Sequence, residues 1–169
     1  LHTLFPYTTL FRSFRAGEEW RKINQQYGTN SAWDFSSNAQ AITKFWEDGL
    51  IRNKDFESMI TLGMRGEQDS ELVGSEEENI QLLKSIIRAQ KSLLKKHGLA
   101  DAPQVLTIYK EVEKYWYGSD KAEGLRYWDV LNDVIIMLAD DNFGNLRTLP
   151  TDKERSEEHT SELQSPVLS

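Results

Sequence analysis

The sequence contains no cysteine, only four prolines and three histidines, and no apolar run that approaches a membrane span. Each absence removes a class of function. Without cysteine there is no disulfide, no thiolate metal site and no cysteine nucleophile. A membrane-crossing helix needs about 18 or more consecutive apolar residues, and none occur. Basic residues are outnumbered, 20 against 27 acids, for a formal charge of −7. That balance argues against a nucleic-acid backbone as the main partner, because phosphate binding needs a basic stripe. No Gly-rich loop of the form that cradles nucleotide phosphates is present either. What remains is the composition of a soluble, globular chain.

The two ends differ from everything between them. LHTLFPYTTLFRS (1–13) has no helical or strand period and does not begin with Met. It also lacks the basic start, the apolar core and the small-residue cleavage site of a secretory signal. The codons CTC TTC CGA TCT encode Leu10-Phe11-Arg12-Ser13, and their reverse complement encodes Arg-Ser-Glu-Glu, the residues at 155–158. Both ends resemble translated sequencing adapters. The expected division is therefore an artefact at 1–13, a natural segment at 14–154 and a second artefact at 155–169. Without Arg12, Arg155, Glu157, Glu158 and Glu162 the count falls to 18 basic and 24 acidic residues, and His97 is the only histidine left. The segment has the length of one domain with a real core, and is expected to be torn from a longer gene.

Within it, Trp20, Ile23 and Tyr27 share one helical face, with Gly28 as a stop. A second helix is expected to start at Ser36 or Ser37, either of which can cap it, and to bury Ile42, Phe45, Trp46 and Leu50. Met59 to Leu62 is a short apolar run closed by Gly63 and reads as a buried strand. NIQLLKSIIRAQKSLL repeats apolar residues at Ile80, Leu83, Ile86, Ile87 and Leu94. Acids at 76–78 and Lys95, Lys96 and His97 suit the dipole of that helix at its two ends, and His97 reads as a capping residue only. Gln104 to Ile108 reads as a second strand, Lys110 to Tyr117 as a short helix, and Val134 to Leu138 as a third strand. Strands separated by helical stretches imply parallel pairing, so the class is α/β.

The polar residues capable of chemistry gather just past each strand: MRGEQD (64–69), YKE (109–111) and DDNFGN (140–145). In a parallel α/β protein that edge is where ligands bind. Each cluster has a structural reading too. Asp140 and Asp141 can cap a helix or make a turn, Arg65 can pair locally with Glu67 or Asp69, and Glu111 and Glu113 can favour a helix start. Together, carboxylates from different strands with an Arg, a Tyr and an Asn between them suit an anionic, hydroxyl-rich ligand. Two carboxyl groups can act as acid and base on a glycosidic bond. The same acids could instead hold Mg²⁺ for phosphoryl transfer, or the edge could hold an acidic sugar in a small α/β binding module without catalysis.

WDFSSNAQAITKFWEDGL, TLGMRGEQD, APQVLTIYKEVEKYW and ADDNFGNLRTLP resemble, in order and spacing, glycoside hydrolase family 115, the xylan α-1,2-glucuronidases. The resemblance runs from about Tyr27 to Pro150. It implies a large, inverting, multi-domain enzyme that removes glucuronic acid or its 4-O-methyl ether from xylan. It also implies that this chain is about three consecutive β/α units of an incomplete (β/α)8 TIM-type barrel. Carried over by position, Asp69 and Glu111 are the implied catalytic carboxylates. Arg65 is the implied holder of the uronate, Tyr109 and Asn142 orient its hydroxyls, and Asp140 and Asp141 support them. No cofactor and no metal are implied; the partner is glucuronoxylan or an oligosaccharide from it, and the parent is secreted or periplasmic. Glu67 and Gln68 stand where the family has Asp and Gly, and Ala139 and Phe143 where it has Cys and Trp. The stretch from Gly118 to Asp129 is longer than usual. These departures bear on substrate preference more than on reaction type.

Overall fold

The computed structural model describes residues 14–28, 30–66, 72 and 74–138. The chain forms α1 (Phe14–Ile23), which runs into a 3₁₀ turn at Asn24–Gln26, then α2 (Phe35–Asn53) and β1 (Ile60–Thr61). After these come α3 (Glu76–Lys96), β2 (Gln104–Ile108), α4 (Glu111–Tyr117), a two-stranded ribbon of β3 (Gly118–Ser119) and β4 (Ala122–Glu123), and β5 (Ile135–Leu138). Strands β1, β2 and β5 form one parallel sheet in that order, with Thr61 opposite Val105 and Ile108 opposite Leu138. Parallel strands joined through helices give the mixed α/β class that the apolar runs imply. No described helix is long and apolar enough to cross a membrane.

The helices form where their sequences start and stop them. α3 opens on a full capping box: the Ser75 hydroxyl accepts from Glu78 N–H while the Glu78 carboxylate accepts from Ser75 N–H, so two otherwise orphaned donors are satisfied. Its apolar stripe is buried as the period requires, with Ile80, Ile86, Ile87 and Leu94 fully inaccessible and Leu83 nearly so. α2 begins one residue earlier than the serines suggest. Asp34 is its cap and accepts from the Ser36 backbone N–H, and both serine hydroxyls donate to the same carboxylate. The sequence Asp-Phe-Ser-Ser offers three capping side chains in a row, and the charged one wins because it can accept from several donors at once. Those bonds hold the Asp34 carboxyl below the usual range, against the opposing effect of its partial burial.

α1 and α2 are joined by aromatic packing. Trp20, fully buried, lies 5.5 Å from Phe45, 5.8 Å from Tyr27 and 5.9 Å from Trp33, centroid to centroid. Phe35 stacks on Trp46 at 5.4 Å. Trp20 also donates from Nε1 to the Ser31 carbonyl at 2.8 Å, so its polar atom is satisfied inside the cluster.

The ribbon β3–β4 lies in the stretch from Gly118 to Asp129, where the sequence pattern indicates no strand. Two glycines explain it. Gly118 has φ +73°, and a Cβ there would lie 2.3 Å from Gly124 N; a Cβ on Gly124 would lie 2.3 Å from the Trp116 carbonyl oxygen. The backbones approach too closely for any side chain at either position.

His97 does more than end α3. Its backbone N–H caps Leu93, as the sequence suggests, but its ring Nε2 lies 2.8 Å from Glu47 Oε1 on α2. Lys96 donates to that same oxygen at 2.6 Å. The expectation of a capping residue only is therefore incomplete, because a partner fifty residues away cannot be read from local pattern. Lys96 first, then His97, draw the Glu47 carboxyl down from its ordinary 4.5 to about 2. A depressed carboxyl pKa stabilises the fold fully above the ordinary value, and that stabilisation is lost as pH falls toward the folded value. Acid unfolding between pH 4.5 and 2 is thus expected to be less steep in Glu47→Gln than in the wild type. Circular dichroism against pH checks this, and superimposable curves would show that the α2–α3 clamp is absent in solution.

Candidate active site

All three sheet strands run in one direction, so the C-terminal ends of β1, β2 and β5 lie at one edge. The exit from β1 is fixed by an unusual device. Gly63, with φ +94°, turns the chain out of the strand. Both of its backbone polar groups are bound by one side chain: Gly63 N–H donates to Gln90 Oε1 at 2.8 Å, and Gln90 Nε2 donates to Gly63 O at 3.0 Å. Gln90 is completely buried. Buried backbone groups at a strand's end need partners, and here α3 supplies both from one amide.

Two residues on, Arg65 crosses to the neighbouring strand's exit. It grips Glu111, the first residue of α4, through two parallel bonds, Nε to Oε1 at 2.8 Å and Nη2 to Oε2 at 2.9 Å. Both residues are buried, at 6 % and 7 % exposure. This fork-to-fork geometry is the strongest pairing open to a guanidinium and a carboxylate. A bare ion of either sign could not be held at that depth.

The sequence placed Arg65 and Glu111 at one edge, and the structure brings them together, but onto each other. Neither Glu67 nor Asp69 can be compared as a local partner of Arg65, because both lie outside the described residues, as do Asp140, Asp141 and Asn142. Tyr109 follows β2 directly and is half-buried. Its ring faces the Lys110 ammonium, 5.3 Å from the centroid.

Leu72 and Gly74, ahead of α3, are tied to the body of the protein through Asn79. Its Nδ2 lies 3.0 Å from Tyr115 Oη on α4, 3.2 Å from the Leu72 carbonyl oxygen and 3.3 Å from that of Gly74. One buried amide thus ties α3 to α4 and to the backbone at Leu72 and Gly74. Gly74 has φ +148°, which disfavours any side chain, and a Cβ there would crowd Asn79 Oδ1 at 3.0 Å.

The family model described as Glycosyl hydrolase family 115 matches residues 10–161. The chain belongs to glycosyl hydrolase family 115. Its domain is that of a glycoside hydrolase, and the matched stretch contains Arg65, Asp69, Tyr109, Glu111 and Asp140 to Asn142. The match also takes in residues 10–13 and 155–161, parts of the two terminal stretches whose composition differs from the rest. No curated protein matches the chain.

Two buried polar residues that tie the elements around this candidate site went unread in the sequence. Gln90 and Asn79 had a signal: both stand on the apolar stripe of α3, where Asn79, Leu83, Ile87, Gln90 and Leu94 follow one another at spacings of three or four. A polar residue on a core stripe is buried with a partner or not at all. Among the described residues no three His, Asp or Glu side chains converge as metal ligands do.

Proposed function

We propose that the complete protein removes glucuronic acid or 4-O-methylglucuronic acid from xylan by an inverting acid/base mechanism, and that this chain carries part of its barrel and of its active site. The observation that carries the reading is the convergence of Arg65 and Glu111 at the exits of adjacent parallel strands. Family membership adds the class of reaction. The accessibility of β5 supports the barrel part of the reading: β2 is buried along most of its length, whereas every residue of β5 is at least partly accessible and Met137 is exposed. Half-covered parallel strands suit a sheet that continues, and a (β/α)8 barrel typically takes about 250 residues to close.

In this reading Asp69 and Glu111 are the acid/base pair. An inverting enzyme sets its two carboxyl groups about 6.5–9.5 Å apart, so that a water fits between one of them and the sugar. Arg65, engaged along its Nε–Nη2 edge, fixes the position of Glu111 instead of clamping the uronate directly. Tyr109 and Asn142 orient sugar hydroxyls, with Asp140 and Asp141 behind them. The acid/base chemistry requires no cofactor, and the partner is glucuronoxylan or an oligosaccharide from it.

The test is release of uronic acid from glucuronoxylan by the complete protein. Asp69→Asn and Glu111→Gln are each expected to lower the rate by about 10²–10⁴-fold, the usual contribution of a positioned acid or base. NMR of the first product formed should show inverted anomeric configuration. Residues 14–154 alone should turn nothing over. If the complete protein binds the oligosaccharide but releases no uronic acid, the domain is a non-catalytic module for acidic sugars.

A further inference from the structure

Lys110 lies between the two site residues Tyr109 and Glu111, and its backbone is strained. It has φ 53° and ψ −125°, the only positive φ at a non-glycine among the described residues. Glycine takes such values freely; a side-chain-bearing residue held there is strained and persists because the surroundings impose it. The turn separates three consecutive side chains at the sheet's edge. Glu111 is buried on Arg65, Tyr109 is half-buried, and Lys110 is exposed.

Among the described residues the charges at this edge do not balance. Arg65 and Glu111 neutralise each other, whereas Lys110 forms no ion pair with any described residue. Its Nζ lies over the Tyr109 ring, 5.3 Å from the centroid, and the exposed side chain stands at the carboxyl edge of the sheet. A cation unmatched among its described neighbours favours an anion. The carboxylate is the one feature that separates a uronic acid from the neutral sugars of a xylan chain.

We propose that Lys110, presented by its strained backbone at the carboxyl edge of the sheet beside the Arg65–Glu111 pair, is the residue that recognises the uronate carboxylate. This deepens the function proposed above and rests on it. An ammonium is a point donor on a flexible stem, suited to meeting a carboxylate that must enter and leave, whereas Arg65 is locked in a fixed pair.

The experiment compares wild type, Lys110→Met, Lys110→Gly and Lys110→Arg in the complete protein. The substrates are an aldouronic oligosaccharide and the same compound with its uronate methyl-esterified. For the acid, Lys110→Met and Lys110→Gly are expected to raise KM about tenfold to a hundredfold, the loss of one hydrogen bond to a charged group, with kcat within a few-fold. The ester should be processed alike by all four, and Lys110→Arg should restore most of the acid's affinity. Lys110→Gly should also melt higher than Lys110→Met, since it relieves the strain. Unchanged KM for the acid in Lys110→Gly would overturn the proposal and leave Lys110 as a backbone feature only. Equal losses on acid and ester would overturn it too, and would fit pairing of Lys110 with Glu67, Asp69, Asp140 or Asp141. If the wild type releases no uronic acid, the reaction assigned above fails separately. Calorimetric titration with glucuronate against glucose then decides: Lys110-dependent preference for glucuronate supports the proposal, and equal binding overturns it.

Discussion

Arg65→Met is expected to destabilise the chain by about 3–5 kcal/mol, because it leaves the Glu111 carboxylate buried without its counter-charge. Against a total of about 5–15 kcal/mol for a natural domain, that is enough to unfold a marginal one. Glu111→Leu should cost a similar amount by stranding the guanidinium. The double variant Arg65→Met/Glu111→Leu removes both charges together, and an apolar pair of similar volume is often neutral or stabilising in such a place. It should therefore recover most of the loss in urea unfolding followed by tryptophan fluorescence, while carrying none of the site's chemistry. That contrast separates stability from function at one pair. If Arg65→Met shifts stability by less than about 1 kcal/mol, the value typical of an exposed pair, then the two side chains are not buried on each other in solution.

The pair also shows where sequence reading succeeds and where it stops. Helical stripes such as Ile42, Phe45, Trp46 and Leu50 are legible because burial follows a local period, and each of these is buried. The bounds of β2 are legible for a similar reason, since Pro103 precedes an apolar run that the helix-forming stretch after Tyr109 ends. At β1 only Ile60 and Thr61 pair as a strand, and Met59 is exposed, because pairing is set by the partner strand and not by the apolar run itself. Arg65 could be placed at the ligand edge from its position after a strand. Its partner could not, because it sits 46 residues away and depends on the parallel register of Thr61 with Val105. Lys110 carried no signal at all. Positive φ is announced in sequence by Gly or Asn, and a lysine there is visible only once the backbone is.

The same dependence of site on scaffold gives the second large effect, at Gln90. Gln90→Leu keeps the volume and the apolar stripe of α3 but removes both partners of Gly63. Each backbone group left buried and unpaired costs about 1–3 kcal/mol, so a loss of about 2–6 kcal/mol is expected, large for a substitution far from any charge. Gln90→Glu should retain an acceptor for Gly63 N–H but bring an acid, without the amide donor, to the Gly63 carbonyl. Its unfolding should therefore fall between wild type and Gln90→Leu at low pH, where the acid is protonated and can donate, and worsen as pH rises. Arg65 follows Gly63 by two residues, so freeing that turn also loosens the strand exit that aims Arg65 at Glu111. Hydrogen exchange should accordingly rise at Gly63 and Met64 and at the first turn of α4, across the sheet, although Gln90 touches neither Arg65 nor Glu111 through its recorded bonds. Exchange that rises at Gly63 alone would mean that the Arg65–Glu111 pair holds its geometry without this support, and that its position is dictated from the β2 side by the turn at Lys110.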